Sequence, residues 1–348
     1  MDTVNSIKEL SAFHGVSGYE HRISDEIVRM FSEICPRAEK DNLGNVKAIM
    51  PCGKDNAPTV MIEAHMDEIG FMITDIDDRG FLYFTPIGGV DYRILLAKEV
   101  IVHGKEDIVG IVGAKPPHVT TAEDRSKAVN AEDMYIDTLC SADYVRSNVC
   151  VGDTVTFADS FCHLGDKYVS AKSQDDRTGI AVLLSVMEKL KGKKLNFDVC
   201  FCACVQEEVG RRGAGTAAFG TDPVFAVSID VCHAKTPDSS DGVFPSGEGT
   251  VISRGPNIHP SLYEKAVKVM DENKIPYNVD VDGGDTGTDA WAIQTAKLGI
   301  PTLLFSLPLK YMHTMVETVH LDDVEATANA IAELILSTED AEVAVCLD

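Results

Sequence analysis

Several residues able to hold a cation or move a proton stand where predicted secondary-structure elements end. His65 and Asp67 follow the apolar run TVMIEA, and Glu207 and Glu208 follow CFCACVQ. Asp230 closes FAVSID, and His313 lies a few residues beyond PTLLFS. Asp175-Asp176-Arg177 opens a helical pattern after YVSAKSQ. Taken singly, each has an ordinary reading: a hydrogen-bonded histidine, a helix cap, a solvated corner, a turn aspartate. Together they are all of metal-ligand type and all at element ends. Clustered carboxylates in a low dielectric are costly unless a cation neutralises them. Imidazole and carboxylate donors without thiolate suit Zn, Mn or Co. Two histidines and three acids suit two ions about 3.5–4 Å apart that share one carboxylate. One acid is then left over, and hydrolysis at such a centre needs a base. The adjacent glutamates fit that division: one binds metal and its neighbour handles the proton.

These residues converge only if the elements carrying them are neighbours. Helices are expected over 4–13 and 20–34, the second capped by Ser17 with Glu20 completing a capping box. A strand covers 59–64. From about 68 to 165 short β-type runs (FMITDID, GFLYFTPIGG, EVIVHG, IVGIVGA, DTVTFA) alternate with Gly and Asp turns, and a helix is expected only around 121–133. Beyond 170, Ile180, Leu183, Leu184, Met187 and Leu190 fall at helical spacing. There follow a strand over 198–205, a short helix near 213–219 and a strand ending at Asp230. Helices at 260–273 and 288–298, the strand PTLLFS and a last helix at 321–337 complete the pattern. Alternating strands and helices predict an α/β fold, a mixed sheet with helices on both faces. The small, mostly-β block is then an insertion. In open α/β sheets ligands bind beyond the carboxyl ends of the strands, where the histidines and acids stand.

Composition narrows the function classes. The chain has 348 residues, 45% of them hydrophobic, which is enough for a sizeable core. A formal net charge of −24 argues against a nucleic-acid partner, which calls for a basic face. The polar start MDTVNSIKELSAFHG lacks the pattern of a signal peptide, and no apolar run is long enough to span a membrane. A cytoplasmic protein without a membrane partner is expected. The ten cysteines form no CxxC pair. Cys200, Cys202 and Cys204 alternate along one strand and read as small apolar residues of one face.

Six stretches occur in the order found in the tetrahedral and glutamyl aminopeptidases, cytosolic di-metal exopeptidases that this sequence resembles. They are HMDEIGFMI (65–73), SQDDRTG (173–179), VQEEVGRRGA (205–214), SIDVCHA (228–234), GTDAWAIQ (287–294) and YMHTMVE (311–317). The inserted block is similar too, through TPIGGVDYRILLAKEV and IVGIVGAKPPH. The resemblance implies a zinc-exopeptidase-like catalytic domain made of 1–67 and 165–348, with 68–164 as a β-rich dimerisation domain. It implies that His65, Asp175 and Asp230 hold one divalent ion. Asp175 bridges to a second, which Glu208 and His313 complete. Glu207 becomes the general base, and Asp67 orients the His65 ring. Peptides are the implied substrates, and the implied assembly is a homo-oligomer, from a dimer to a tetrahedral dodecamer.

The sequence departs from the family pattern at Ser173-Gln174, Lys310, Leu139-Cys140, Val90 and Arg211. None of these is a ligand; they bear on pocket and assembly. Arg211 either shapes substrate choice or is a surface charge. The rival readings are a di-metal deacylase or carboxypeptidase, a two-carboxylate glycosidase and an inactive metal-stabilised scaffold. Metal-dependent removal of N-terminal residues is the expected function.

Overall fold

The computed structural model describes residues 2–119, 121, 129–237, 239 and 242–339. Its frame is an eleven-stranded mixed sheet. Four parallel strands form the centre, side by side in the order Asp198–Cys204, Thr59–His65, Phe225–His233 and Thr302–Lys310. Antiparallel strands flank them. Thr250–Arg254 lies antiparallel on Thr302–Lys310 and carries Tyr277–Val281 parallel at its far side.

The central strands are apolar throughout because both their faces are covered, as parallel sheets require. Val60, Ile62, Phe201 and Val227 face one core with the helices Thr3–Ala12, His21–Ile34, Gln174–Leu190, Pro260–Asn273 and Leu321–Ser337. Met61, Cys202, Cys204 and Ala226 face the other, against the small residues Ala214, Ala217 and Ala218 of helix Arg212–Thr221 and Ile293 of helix Asp289–Gln294. The expected mixed sheet with helices on both faces is thus present. Cys200, Cys202 and Cys204 are buried and unpaired, as expected for small apolar side chains.

The β-rich segment forms a separate closed barrel of six strands: Gly70–Ile76, Leu82–Ile87, Glu99–His103, Asp107–Ala114, Met134–Asp137 and Thr154–Phe157. Closure leaves these short strands no unpaired edge. Phe71, Leu82, Val100, Val102, Ile136, Val155 and Phe157 fill the interior. Its strand Met134–Asp137 and helix Ala142–Asn148 are too short to stand out in the sequence. Most of the helix expected over 121–133 lies outside the described residues; Ala131–Asp133 forms one 3-10 turn.

Three local expectations are corrected. Ser17 does not cap the second helix: its hydroxyl donates to Asp67 instead, and Glu20 occupies the cap position without a side-chain cap bond. The helix expected over 288–298 stops at Gln294, whose carbonyl is taken by the Ile300 amide while Lys297 turns to a positive φ. The strand expected to end at Asp230 continues to His233, because Thr302–Lys310 pairs with it along that whole length. Its pairing with Thr59–His65 stops at Ser228, so Asp230 lies past the last paired position on that side.

Candidate active site

The carboxylate of Asp175 lies between the two histidines. Its Oδ1 is 3.0 Å from His65 Nε2, and its Oδ2 is 3.4 Å from His313 Nε2. His313 Nε2 is also 3.5 Å from Glu208 Oε2. Donor atoms of His65, Asp175 and Asp230 all lie within 4.8 Å of one another, as do those of Asp175, Glu208 and His313. Residues from five separate stretches therefore meet as two three-donor groups that share Asp175. Glu207 belongs to neither group but lines the same cavity of about 530 Å³.

The turn after Asp198–Cys204 explains how two adjacent glutamates end a buried strand. The Asp67 carboxylate accepts hydrogen bonds from the amides of Glu207 (3.0 Å) and Glu208 (3.2 Å) and from the Ser17 hydroxyl (2.6 Å). Glu20 accepts from the Gln206 amide at 3.1 Å. Gln206 and Arg211 take positive φ, and Gly213 passes so close to Val205 O and Asn45 that a Cβ would collide with both. With the backbone held from behind, both glutamate side chains reach the cavity. Asp67 Oδ1 is 3.4 Å from His65 Nδ1, a charge contact outside hydrogen-bond geometry.

Several participants carry no signal that sequence reasoning singled out. Glu317, inside YMHTMVE, accepts from the amides of His313 (2.7 Å) and Asp175 (3.1 Å), so one buried carboxyl sets the positions of both residues. Gly89 O, from the segment leading out of the barrel strand Leu82–Ile87, meets His313 Nδ1 at 2.8 Å and turns Nε2 toward Asp175. Glu68 accepts from Arg177 (3.0 Å), Lys172 (2.8 Å) and Ser173, and so anchors the start of the helix that presents Asp175. Behind the site, Glu63, Cys204 and Asp289 form a further buried group. Such partners are scattered in the chain and of common types, so only spacing in three dimensions reveals them.

The electrostatics show what the arrangement calls for. Burial pushes the Asp230 and Glu208 carboxyls well above the usual carboxylate range, and Asp175 adds repulsion to both. Burial also raises Glu207 to about 7, with His65 opposing and Asp67 and Asp175 reinforcing. Asp175 is held low despite burial, because His313 and His65 flank it. Its bond to Asp175 raises His313 to about 10, against burial. Carboxylates brought together at such cost, with imidazole nitrogens aimed among them, are the donor chemistry of borderline divalent cations. The residues fit such ions.

A mixed sheet with carboxylate and imidazole donors at its carboxyl edge and an inserted barrel defines a class of metallohydrolase. The chain belongs to the M42 glutamyl aminopeptidase family, whose profile matches residues 44–329. It is therefore a peptide-bond hydrolase of a metallopeptidase family. It is 34% identical to the lysyl aminopeptidase of Pyrococcus furiosus, over 94% of this chain and 95% of that protein. Its fold superimposes on an aminopeptidase from Desulfurococcus kamchatkensis with a TM-score of 0.91, at 32% identity and 99% coverage of both chains. The TET1 peptidase of Pyrococcus horikoshii, which can assemble into a tetrahedron or a large octahedral shell, matches with a TM-score of 0.86 at 33% identity. That match covers 97% of this chain and 100% of the other.

Proposed function

We propose that the protein removes N-terminal residues from peptides by hydrolysis at two divalent cations, Zn, Co or Mn. His65, Asp175 and Asp230 hold one ion; Asp175, Glu208 and His313 hold the other. The observation that carries this reading is the Asp175 carboxylate, with one oxygen toward each histidine. The ions, when bound, polarise the scissile carbonyl and make water easier to deprotonate. Glu207 is the general base: it stands in the cavity beside both donor groups without belonging to either. Its carboxylate takes the proton of the attacking water and returns it to the leaving amine. Asp67 fixes that carboxylate's backbone and lies 3.4 Å from the far nitrogen of His65.

The test uses p-nitroanilides of a panel of amino acids, after chelation and after restoring Zn, Co or Mn. Metal-restored release from free N-termini, and none from acetylated ones, is the expected result. Release of p-nitroaniline from the acetylated substrates as well would mean cleavage that needs no free amine, and acetate release without p-nitroaniline would mean a deacylase; either would overturn the proposal.

Residues 68–164 form the inserted unit in this reading, and copies of the chain assemble through it. Val109, Ile111, Val119 and Leu139 lie exposed on this segment, with Leu139 81% accessible, an apolar surface suited to a partner. Light scattering on the purified protein should show a dimer or a larger closed assembly; a monomer would contradict it.

A further inference from the structure

The register of the sheet dictates what the catalytic cavity meets as it leads away from the cation ligands. Asp230 is paired with Ser306 on the neighbouring strand, and Ser306 with Val251 on the next. Two residues on from Val251, Ser253 is paired with Asp280 on the outermost strand. Laterally paired residues, and residues two apart along a strand, point to the same face. Asp230, Ser306, Ser253, Asp280 and Asp282 therefore share one face, and all five line the cavity. Three strand spacings of about 4.8 Å, with an offset of two residues along the third strand, place the Asp280 backbone roughly 16 Å from that of Asp230. A residue whose amine lies among the cation ligands would extend its side chain along this lane.

The far end of the lane is rich in acceptors and lacks a counter-charge. Among the described residues no cationic side chain pairs with Asp280 or Asp282; Asp282 accepts only the Gly284 amide, at 2.9 Å. Burial and the neighbouring Asp282 both push the Asp280 carboxyl above its ordinary value, as expected for two carboxylates without a cation. Ser253 and Ser306 are 2% and 3% exposed, and their hydroxyls make no hydrogen bond to the described protein. The guanidinium at the cavity wall, Arg211, is already neutralised: Asp285 grips it at 2.7 and 2.8 Å, and Glu207 is 3.5 Å away.

Ammonium and guanidinium groups carry several donors and no acceptor, the complement of this lining. A glutamate side chain would meet two carboxylates. An apolar one would leave buried hydroxyls without partners. We infer that this end of the cavity is a subsite for the first side chain of the substrate, and that it selects peptides beginning with lysine or arginine. The inference rests on the aminopeptidase reading above and adds its substrate class.

The test compares kcat/KM for lysyl, arginyl, norleucyl and glutamyl p-nitroanilides on the metal-loaded, full-length protein. Norleucine has the carbon chain of lysine without the ammonium, so it separates charge from reach. Lysyl and arginyl substrates should exceed norleucyl by at least tenfold, and glutamyl should be slowest. In Asp280→Asn/Asp282→Asn the lysyl-to-norleucyl ratio should fall toward one. Cleavage of norleucyl or glutamyl substrates as fast as lysyl overturns the subsite and leaves the aminopeptidase reading standing. A tenfold ratio that persists in the double variant also overturns it. Silence on every free N-terminus overturns both readings. Should the variant fail to fold, the wild-type protein still decides: lysinamide should raise its Tm more than norleucinamide at equal concentration, and equal shifts would refute the subsite.

Discussion

His65 ends a central parallel strand and its side chain is 1% exposed, whereas His313 sits in a loop with its side chain 33% exposed. Around His65 the donors come from the sheet and from the helix start packed on it, with Asp175 and Asp230 both buried. Around His313 the parts come from separate places: the turn at Glu208, the Glu317 carboxyl and the Gly89 carbonyl beside the barrel. One half of the centre is thus a by-product of strand order. The other exists only where the barrel segment meets the sheet. The half nearer solvent should exchange its ion more readily and respond more to changes in the inserted block.

Asp175 belongs to both halves, so its loss should be the most damaging. Asp175→Asn should lower turnover by about a thousandfold or more, equivalent to several kcal/mol, and reduce metal content at both sites. Elemental analysis that shows one of two equivalents lost would mean that the halves do not share this residue. Glu207→Gln should keep both ions and lose about 10²- to 10⁴-fold in turnover, the usual share of a general base. Full activity in that variant would remove Glu207 from the mechanism.

Gly89→Ala separates the halves. A Cβ there would lie 2.8 Å from His313 Nδ1, so the ring must shift. Affinity for the ion at His313 should drop by about 10- to 100-fold while the His65 half keeps its own. Chelator titration measures both, and equal weakening would show that the two halves are not independent.

The smallest effect on rate at neutral pH is expected from the support beneath Asp175. Burial alone would raise Glu68, but Arg177 and Lys172 outweigh it and bring its pKa to about 2. A depressed folded-state pKa adds stability above the ordinary value of 4.5 that is lost as pH falls toward 2. The Tm of the wild type should therefore fall more steeply across that window than the Tm of Glu68→Gln; parallel slopes would refute the account. The variant should already be destabilised by about 3–5 kcal/mol, since two buried cations lose their shared partner.

Much of the molecule was legible before folding was considered. Apolar runs of strand length alternating with helical periodicity specify the α/β frame, because both patterns are local and repeat along the chain. The ligand types were legible for a related reason: imidazole and carboxylate are distinctive, and strands that end in them are few. What each ligand leans on was not. Ser17 reads as a helix cap by local rules, yet the helix begins at His21 with Glu20 at the cap, and the Ser17 hydroxyl donates to the distant Asp67. Glu317 and Gly89 hold Asp175 and His313, and Glu68 holds Arg177, across more than 100 residues of chain; Gly89 does so through a backbone carbonyl, which has no side-chain identity to read. The lane from Asp230 to Asp280 depends on strand register. A shift of one residue would turn every one of those side chains to the other face. Local pattern along the chain specifies which chemistry is present and on what frame; folding settles which groups touch, because pairing and packing join residues that the chain keeps far apart.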